Sequence, residues 1–179
     1  MVTANSKIDL SKYLEMSEEE LEDLTSSSIA PRSGSAIYKF RVSDDEVKEW
    51  DDGRCTLSLR TEVVEGEHAG KSGPFMNLSL HPFIQAGEIV SDEKMEELRD
   101  VAKAKFIRRI QLLTNGAPFA IAPGDEKDVL ESVGVIAGGL EFIAAVKRGN
   151  NGYAQFSNYY SLSNPPRGYE QEVEAFKLG

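Results

Sequence analysis

The chain has 179 residues, a length that suits one domain with appendages. Its formal net charge is −10, from 20 basic and 30 acidic residues, and this sign opposes nucleic-acid binding because phosphate groups attract cations. The single cysteine, Cys55, excludes an internal disulfide framework and any zinc site built from several cysteines. No apolar run approaches the roughly 20 residues of a membrane span, and the N-terminus lacks the apolar core of a signal peptide, so we expect a soluble, intracellular protein.

The acidic residues are unevenly distributed along the chain. Residues 1–31 contain seven acids and two bases, which gives a net charge of −5. Residues 32–166 contain 20 acids and 16 bases, so this much longer stretch has a net charge of only −4. A basic groove on the body of the protein is therefore compatible with the negative total.

The N-terminal part of the chain is predicted to form a helical arm and a linker. Residues 8–24 show a partial apolar stripe, and Ser17 followed by Glu20 is the pattern of a helical capping box. The Ser-, Pro- and Gly-rich residues 25–35 then indicate a linker. The predicted division is an acidic helical arm and linker (1–34), a body (35–163) and an extended, mobile C-terminal tail (164–179).

The body alternates apolar and polar residues, which is typical of strands with one buried face. Residues 36–42 and 55–63 show this pattern, and Asp51-Asp52-Gly53 between them is a hairpin signal. A third strand is expected near residues 74–80. A helical insertion at about residues 91–133 follows, and two more strands, at 140–147 and 153–162, end the body.

This order of elements predicts the fold class. Three strands, a helical insertion and two strands form the pattern of an OB fold, a partly open barrel whose face binds oligonucleotides or oligosaccharides. A parallel α/β protein would alternate strand and helix throughout. We therefore predict a mainly β protein of the α+β class, with a five-stranded OB-like barrel, a helical insertion and an N-terminal helical arm. A small sandwich is the alternative.

Sequence motifs of enzymes are absent. The chain has no phosphate-binding loop, no nucleophile elbow and no H-E-x-x-H zinc motif. We therefore predict a non-enzymatic protein with no catalytic residues, no metal and no cofactor. A metal-dependent nuclease is a further alternative because carboxylates are numerous, although most occur where solvated charge is expected.

Basic and aromatic residues on the outward strand faces fit single-stranded nucleic acid, which needs cations for its backbone and rings for its bases. Tyr153, Gln155 and Tyr159 share one side of the last predicted strand, and that side is polar enough to face solvent. Trp50 lies between the first two strands. For each ring, a packed position in the core is the competing interpretation. The predicted nucleic-acid-binding residues are Lys39, Arg41, Trp50, Arg60, Asn77, Lys147, Arg148, Tyr153 and Tyr159.

A second basic group lies on the predicted insertion helix. We interpret Arg99, Lys103, Arg108 and Arg109 as a basic helix face that lines the path of the nucleic acid. Two alternatives are that these residues complement the C-terminal dipole of the helix or pair with the acidic arm. In a related hypothesis, the arm occupies the basic groove and DNA displaces it.

Several motifs of the body resemble a phage-encoded protein family. They are Trp50-Asp51-Asp52-Gly53, Leu57-Ser58-Leu59-Arg60, the run from Glu62 to Lys71 with its Glu65-Gly66-Glu67 turn, Phe75-Met76-Asn77-Leu78, and the hairpin from Phe142 to Tyr160. The resemblance covers residues 35–163 and is to OB-fold single-stranded-DNA-binding proteins, formerly catalogued as a domain of unknown function. The strongly acidic C-terminal tail through which many replicative single-strand binders recruit partners is lacking here.

The resemblance implies non-sequence-specific binding of single-stranded DNA during phage DNA replication or recombination. It also implies a location in the host cytoplasm, no membrane, and phage replication or recombination proteins as further partners, and it leaves oligomerisation open. The alternative function is that of a structural or adaptor protein, such as a virion component, that acts through protein–protein contacts.

Overall fold

The structure, a computed structural model, describes residues 8–82, 84, 87–167 and 169. Two short helices, α1 (Ser11–Leu14) and α2 (Glu18–Thr25), come first. The body then contains β1 (Ser35–Glu49), β2 (Cys55–Val63), β3 (Met76–Leu78), α3 (Asp92–Leu113), α4 (Glu126–Ala137), β4 (Glu141–Arg148) and β5 (Ala154–Tyr160). In the described ranges, no helix has both the length and the apolar character that a membrane crossing requires.

The five strands form one antiparallel sheet in the order β3-β2-β1-β4-β5. Strand β1 is the centre of this sheet, since its first half pairs with β4 and its second half pairs with β2. The sheet wraps around β1 until β3 and β5 approach each other across a cleft. The result is a nearly closed barrel with added helices, and the predicted OB-like α+β fold is confirmed.

The core fills the inside of this barrel. Every second side chain of β2, from Cys55 to Val63, is buried, as the period-two pattern predicts. Phe40 and Phe142 stack at 5.7 Å between ring centroids, and Phe156 meets Phe40 edge-on at 5.1 Å. Helix α4 packs Leu130 against the core. Burial of one such side chain contributes about 1.5–3 kcal/mol to the stability of the fold.

Strand β1 is longer than predicted. The sequence pattern indicates a strand over 36–42, but pairing with β2 continues to Glu49. The register shifts between Val42 and Asp44, which identifies Ser43 as the extra residue of a β-bulge. An extra residue inverts the alternation of inward and outward positions, so the second half of the strand lacks the expected pattern.

The linker segment is part of the core, although the predicted division at residue 34 assigns it to the arm. Ile29 is 1% exposed, and its carbonyl oxygen accepts a hydrogen bond from the Tyr38 hydroxyl at 2.7 Å. The capping box of α2 is confirmed, with Ser17 and Glu20 each accepting a hydrogen bond from the other's backbone N–H. The separable part of the arm therefore ends before Ile29.

Most of the predicted C-terminal tail, residues 168 and 170–179, lies outside the described residues. The described part ends in Tyr169, which is buried. Its hydroxyl donates a hydrogen bond to Glu65 Oε1 at 2.5 Å. The expectation of an extended, mobile tail is therefore wrong at Tyr169, because a buried and hydrogen-bonded ring is held against the barrel.

Candidate nucleic-acid interface

On the outer face of β1, β2 and β3, two cations lie beside an exposed ring, and Asp44 is the cross-strand neighbour of one of them. The alternation that buries Met76 turns Phe75 outward, and Phe75 is 52% exposed. Lys48 Nζ and Arg60 Cζ each lie 5.7 Å from the centroid of this ring. Both distances are within the range of a cation–π interaction. We call Lys48, Arg60 and Phe75 the outer-face cluster.

Trp50 extends from the hairpin between β1 and β2. Its backbone N–H donates to the Arg54 carbonyl at 2.8 Å, and its indole Nε1 donates to Thr56 Oγ1 at 3.0 Å. The turn includes Gly53 at a φ of +84°, a conformation that favours glycine. The indole is 57% exposed, so a ring held by hydrogen bonds still presents a surface on which a base can stack.

A cleft of about 740 Å³ separates β5 from the segment that enters β3. Phe75 and Asn77 line one side of this space, which we call the seam cleft, and Tyr153 and Gln155 line the other. Tyr153 is 68% exposed. Two exposed rings thus flank the seam cleft, beside the outer-face cluster.

The wall that carries Phe75 is firmly held by β2. The Gly73 N–H donates to the Thr61 carbonyl at 2.9 Å, and Thr61 Oγ1 donates to the Pro74 carbonyl at 2.6 Å. A Cβ at Gly73 would lie 2.5 Å from both Thr61 Oγ1 and Phe40 Cε1, so only glycine allows this approach. The backbone before Phe75 is therefore anchored, although its ring is exposed.

A second space, the helix groove of about 370 Å³, adjoins the seam cleft. Lys105 and Arg109 of α3 line it, and Asn77 lines both spaces. The Arg109 guanidinium lies over the Tyr159 ring, with Cζ 3.6 Å from the ring centroid. Burial lowers the pKa of Arg109 and raises the pKa of Tyr159. The electrostatic interaction between the two side chains acts in the opposite direction on each pKa. An arginine keeps its charge in proteins, so the helix groove contains two cations.

The expected position of Tyr159 on the solvent side of β5 is wrong. The pairing of β5 with β4 shifts between Phe156 and Asn158, which identifies Ser157 as a β-bulge. The bulge places Tyr159 on the same side as Phe156, and the two ring centroids are 5.0 Å apart. Tyr159 packs against the core and lines the seam cleft from within, whereas Tyr153 faces outward as predicted.

Arg148 lies under the arm rather than facing solvent. Its side chain is 12% exposed, and its Nη2 donates to the Ala30 carbonyl at 3.0 Å. Its Nη1 donates to Asp23 Oδ1 at 3.3 Å and lies 3.8 Å from Glu22 Oε1. Arg32 also pairs with Asp23. The expectation of a free loop cation is therefore wrong, because Arg148 anchors the acidic arm.

The other predicted strand cations lie outside the seam cleft. Lys147 is exposed and lines a separate surface cleft beside residues 31–35. Lys39 Nζ is 3.9 Å from Glu141 Oε1, and Arg41 Nη1 is 3.4 Å from Glu62 Oε1. Arg41 and Lys39 point outward as expected, but each already has a carboxylate neighbour.

The four basic residues predicted on the insertion helix do not form one face. Arg99 and Arg108 are nine positions apart on α3, or about 2.5 turns, so they lie on opposite sides of the helix. Of the four, Arg109 lines the helix groove, where its basic neighbour is Lys105. The prediction of a single basic face is wrong, because residues that are close together in the sequence of a helix can point to opposite sides of it.

Phe75, Lys48 and Lys105 are not among the residues predicted from the sequence. Phe75 could have been found, since it alternates with the inward Met76 and must therefore face outward. Lys48 follows the bulge at Ser43, where the alternation is broken, so no local pattern indicates its direction. Of the predicted residues, the structure brings Trp50, Arg60, Asn77 and Tyr153 to the outer face and the seam cleft.

No protein family model matches the chain, and no curated protein matches it. Across the described residues, no group of three or more histidine, cysteine, aspartate or glutamate side chains is arranged to hold a metal ion.

Proposed function

We propose that this protein binds single-stranded DNA on the outer face of its barrel, during phage DNA replication or recombination. The observation that carries the proposal is the outer-face cluster, in which Lys48 and Arg60 flank the exposed ring of Phe75. Cations beside an exposed ring provide both contacts that a single strand needs, one for its phosphates and one for its bases. Trp50 and Tyr153 add two further exposed rings on which bases can stack.

Stacking favours single strands over duplexes. Exposed rings can contact a base only when the base is not already stacked within a helix, and each such contact contributes about 1–3 kcal/mol. Stacking accepts every base, so most of this interface would tolerate any sequence. The acidic total charge does not prevent such binding, because Lys48 and Arg60 form no ion pair among the described residues and remain available for phosphates.

Fluorescence anisotropy with labelled oligo-dT, a duplex of equal length and an RNA oligomer tests the proposal. We expect the protein to bind oligo-dT at low salt, to lose affinity as salt rises, and to bind the duplex more weakly. The chain has one tryptophan, so quenching of its intrinsic fluorescence reports directly on Trp50. Absence of binding to all three oligomers at low salt would refute the proposal.

The arm favours a second candidate function, that of an adaptor acting through protein contacts. Ile8, Leu14 and Leu24 are large apolar residues that are exposed on the arm. Exposed apolar side chains that cluster on one segment are typical of a protein-binding surface. An adaptor would form a defined complex or oligomer in light scattering experiments and would leave every oligonucleotide unbound.

A further inference from the structure

We propose that the seam cleft binds one unstacked nucleobase between Phe75 and Tyr153, with the amides of Asn77 and Gln155 at its polar edge. This inference rests on the proposed function and deepens it. The rest of the interface would tolerate any base, whereas this one position would distinguish between bases.

The seam cleft exists because the barrel is not fully closed. Strands β3 and β5 are the two ends of the sheet order, and in the described ranges no ladder joins them. If they were hydrogen-bonded, the space between their edges would be lost. Its volume of about 740 Å³ lies within the usual range of small-molecule sites, about 300–1,000 Å³, and is ample for one nucleotide.

The interior of the seam cleft is aromatic. Phe156 and Tyr159 line it from the core side, with Tyr159 held by Arg109 from the helix groove. The bulge at Ser157 is what turns both rings to the same side of β5. A flat base between Phe75 and Tyr153 would therefore contact aromatic rings on both of its faces and at its inner edge. It would also cover aromatic surface that water solvates poorly.

The rim of the seam cleft supplies polar groups of the type that recognise bases. An amide side chain offers both a donor and an acceptor, the combination with which Asn and Gln recognise base edges. The Asn77 and Gln155 side chains make no hydrogen bond to any other group within the described part of the chain. The Gln155 amide packs closely against the backbone of Gly149, since a Cβ at Gly149 would lie 2.5 Å from Gln155 Nε2.

The neighbouring charges favour a nucleotide over an extended peptide as the occupant. Lys48 and Arg60 flank the Phe75 wall, so a base between the two rings would bring its own phosphates toward these cations. A peptide strand without acidic side chains would pair with the edges of β3 and β5, which no other described strand occupies, and would gain nothing from the cations. Asn77 also lines the helix groove, which gives the strand a continuation toward Lys105.

The test compares oligo-dT, oligo-dC and oligo-dA of equal length at one salt concentration. We expect the dissociation constants of the wild-type protein to differ by about fivefold or more, the lower end of what one recognised base contributes. The double variant Asn77→Ala/Gln155→Ala should reduce this spread to about twofold, within the range that sequence-tolerant stacking leaves. Gln111→Ala, an exposed amide on α3 outside the clefts, is the matched control and should behave as the wild type.

The outcomes separate this inference from the proposed function. If all three oligomers bind wild type equally, or if the double variant keeps the full spread, the base position is refuted while single-strand binding stands. If no oligomer binds, the proposed function itself fails. Both substituted side chains are exposed, so circular dichroism melting curves should match the wild type and exclude misfolding as the cause.

Photocrosslinking locates the base independently. An oligonucleotide that contains 5-iodo-deoxyuridine forms covalent adducts with aromatic side chains that contact the base. Adducts on both Phe75 and Tyr153, identified by peptide mass spectrometry, would support the inference, whereas adducts on Phe75 without Tyr153 would indicate stacking on the outer face only and would overturn it. Adducts on Trp50 without any on those two rings would overturn it and leave stacking at the hairpin as the sole base contact.

Discussion

Two regions of the barrel carry strand cations of the same kind but use them differently. In the outer-face cluster, Lys48 and Arg60 flank an exposed ring, and no ion pair involves either of them among the described residues. At the end of β4, Arg148 is mostly buried and is surrounded by the arm, through Asp23 and the Ala30 carbonyl. The first region is suited to a ligand, whereas the second holds the protein together.

This difference teaches that an outward-pointing cation is a candidate for binding only if no part of the same chain neutralises it. The arm lies against the loop between β4 and β5, where the Ser27 N–H donates to the Gly152 carbonyl at 2.8 Å. A Cβ at Gly152 would lie 2.9 Å from Ser26 Oγ, so the contact is close. Residues far apart in sequence thus decide what Arg148 does.

The largest expected effect is on stability, and it follows from a substitution at Arg148, in the region that holds the arm. Arg148→Ala removes a charged donor from the Ala30 carbonyl and from Asp23, and hydrogen bonds to charged groups contribute about 1.5–3 kcal/mol each. We expect the free energy of unfolding, measured by urea denaturation, to fall by about 1.5–3 kcal/mol in total, since Asp23 is partly exposed and the bond to it adds little. Affinity for oligo-dT should not fall. A loss of affinity without a loss of stability would place Arg148 in the ligand site instead.

The second effect is on binding, and it follows from a substitution in the outer-face cluster. Phe75→Ala removes the ring between the two cations and should weaken oligo-dT binding by about 1–3 kcal/mol. The exposed ring of Tyr13, on the arm, gives a matched control, Tyr13→Ala. Anisotropy titrations of both variants at equal salt measure the difference. Equal affinities for the two variants would exclude Phe75 as a stacking residue.

The fold was predictable from local patterns, whereas part of the site was not. The alternation in β2 and the helical insertion between the third and fourth strands are confirmed. Bulges at Ser43 and Ser157 leave no mark in the sequence, yet each inverts the side on which the following residues lie. The predicted direction of the Tyr159 side chain is wrong for this reason.

The partners of the cations were also beyond local reasoning. Arg148 and Arg60 look alike in sequence because each occurs on or beside an alternating strand. Only the tertiary fold brings the arm to Arg148, from a position more than a hundred residues earlier in the chain. Period-two alternation gives the side of a strand that a residue occupies, not the charge of the group that meets it there.

The third effect concerns the arm and sharpens the comparison. Ser27 lines the seam cleft, so the acids of α2 lie near the path proposed for the DNA. Deletion of residues 1–24 removes these acids and keeps the buried Ile29 in place. We expect affinity for oligo-dT to rise severalfold at low salt, about 1 kcal/mol, and the gain to shrink as salt screens the charges. Unchanged affinity at low salt would show that the arm does not compete with DNA.

The smallest effect is on the salt dependence of binding, and it separates two arginines on neighbouring strands. Each phosphate contact to a single strand adds about 0.7 to the slope of log affinity against log salt. Arg60→Gln should lower this slope by about that amount, because Arg60 lies opposite Asp44 in the β1–β2 register but forms no ion pair with it. Arg41→Gln should change it by less than half as much, since Arg41 is already compensated by Glu62 at 3.4 Å. If instead the two variants lower the slope equally, Arg41 contacts phosphates despite its ion pair with Glu62. Ion pairing within the protein would then not determine which cations bind the DNA.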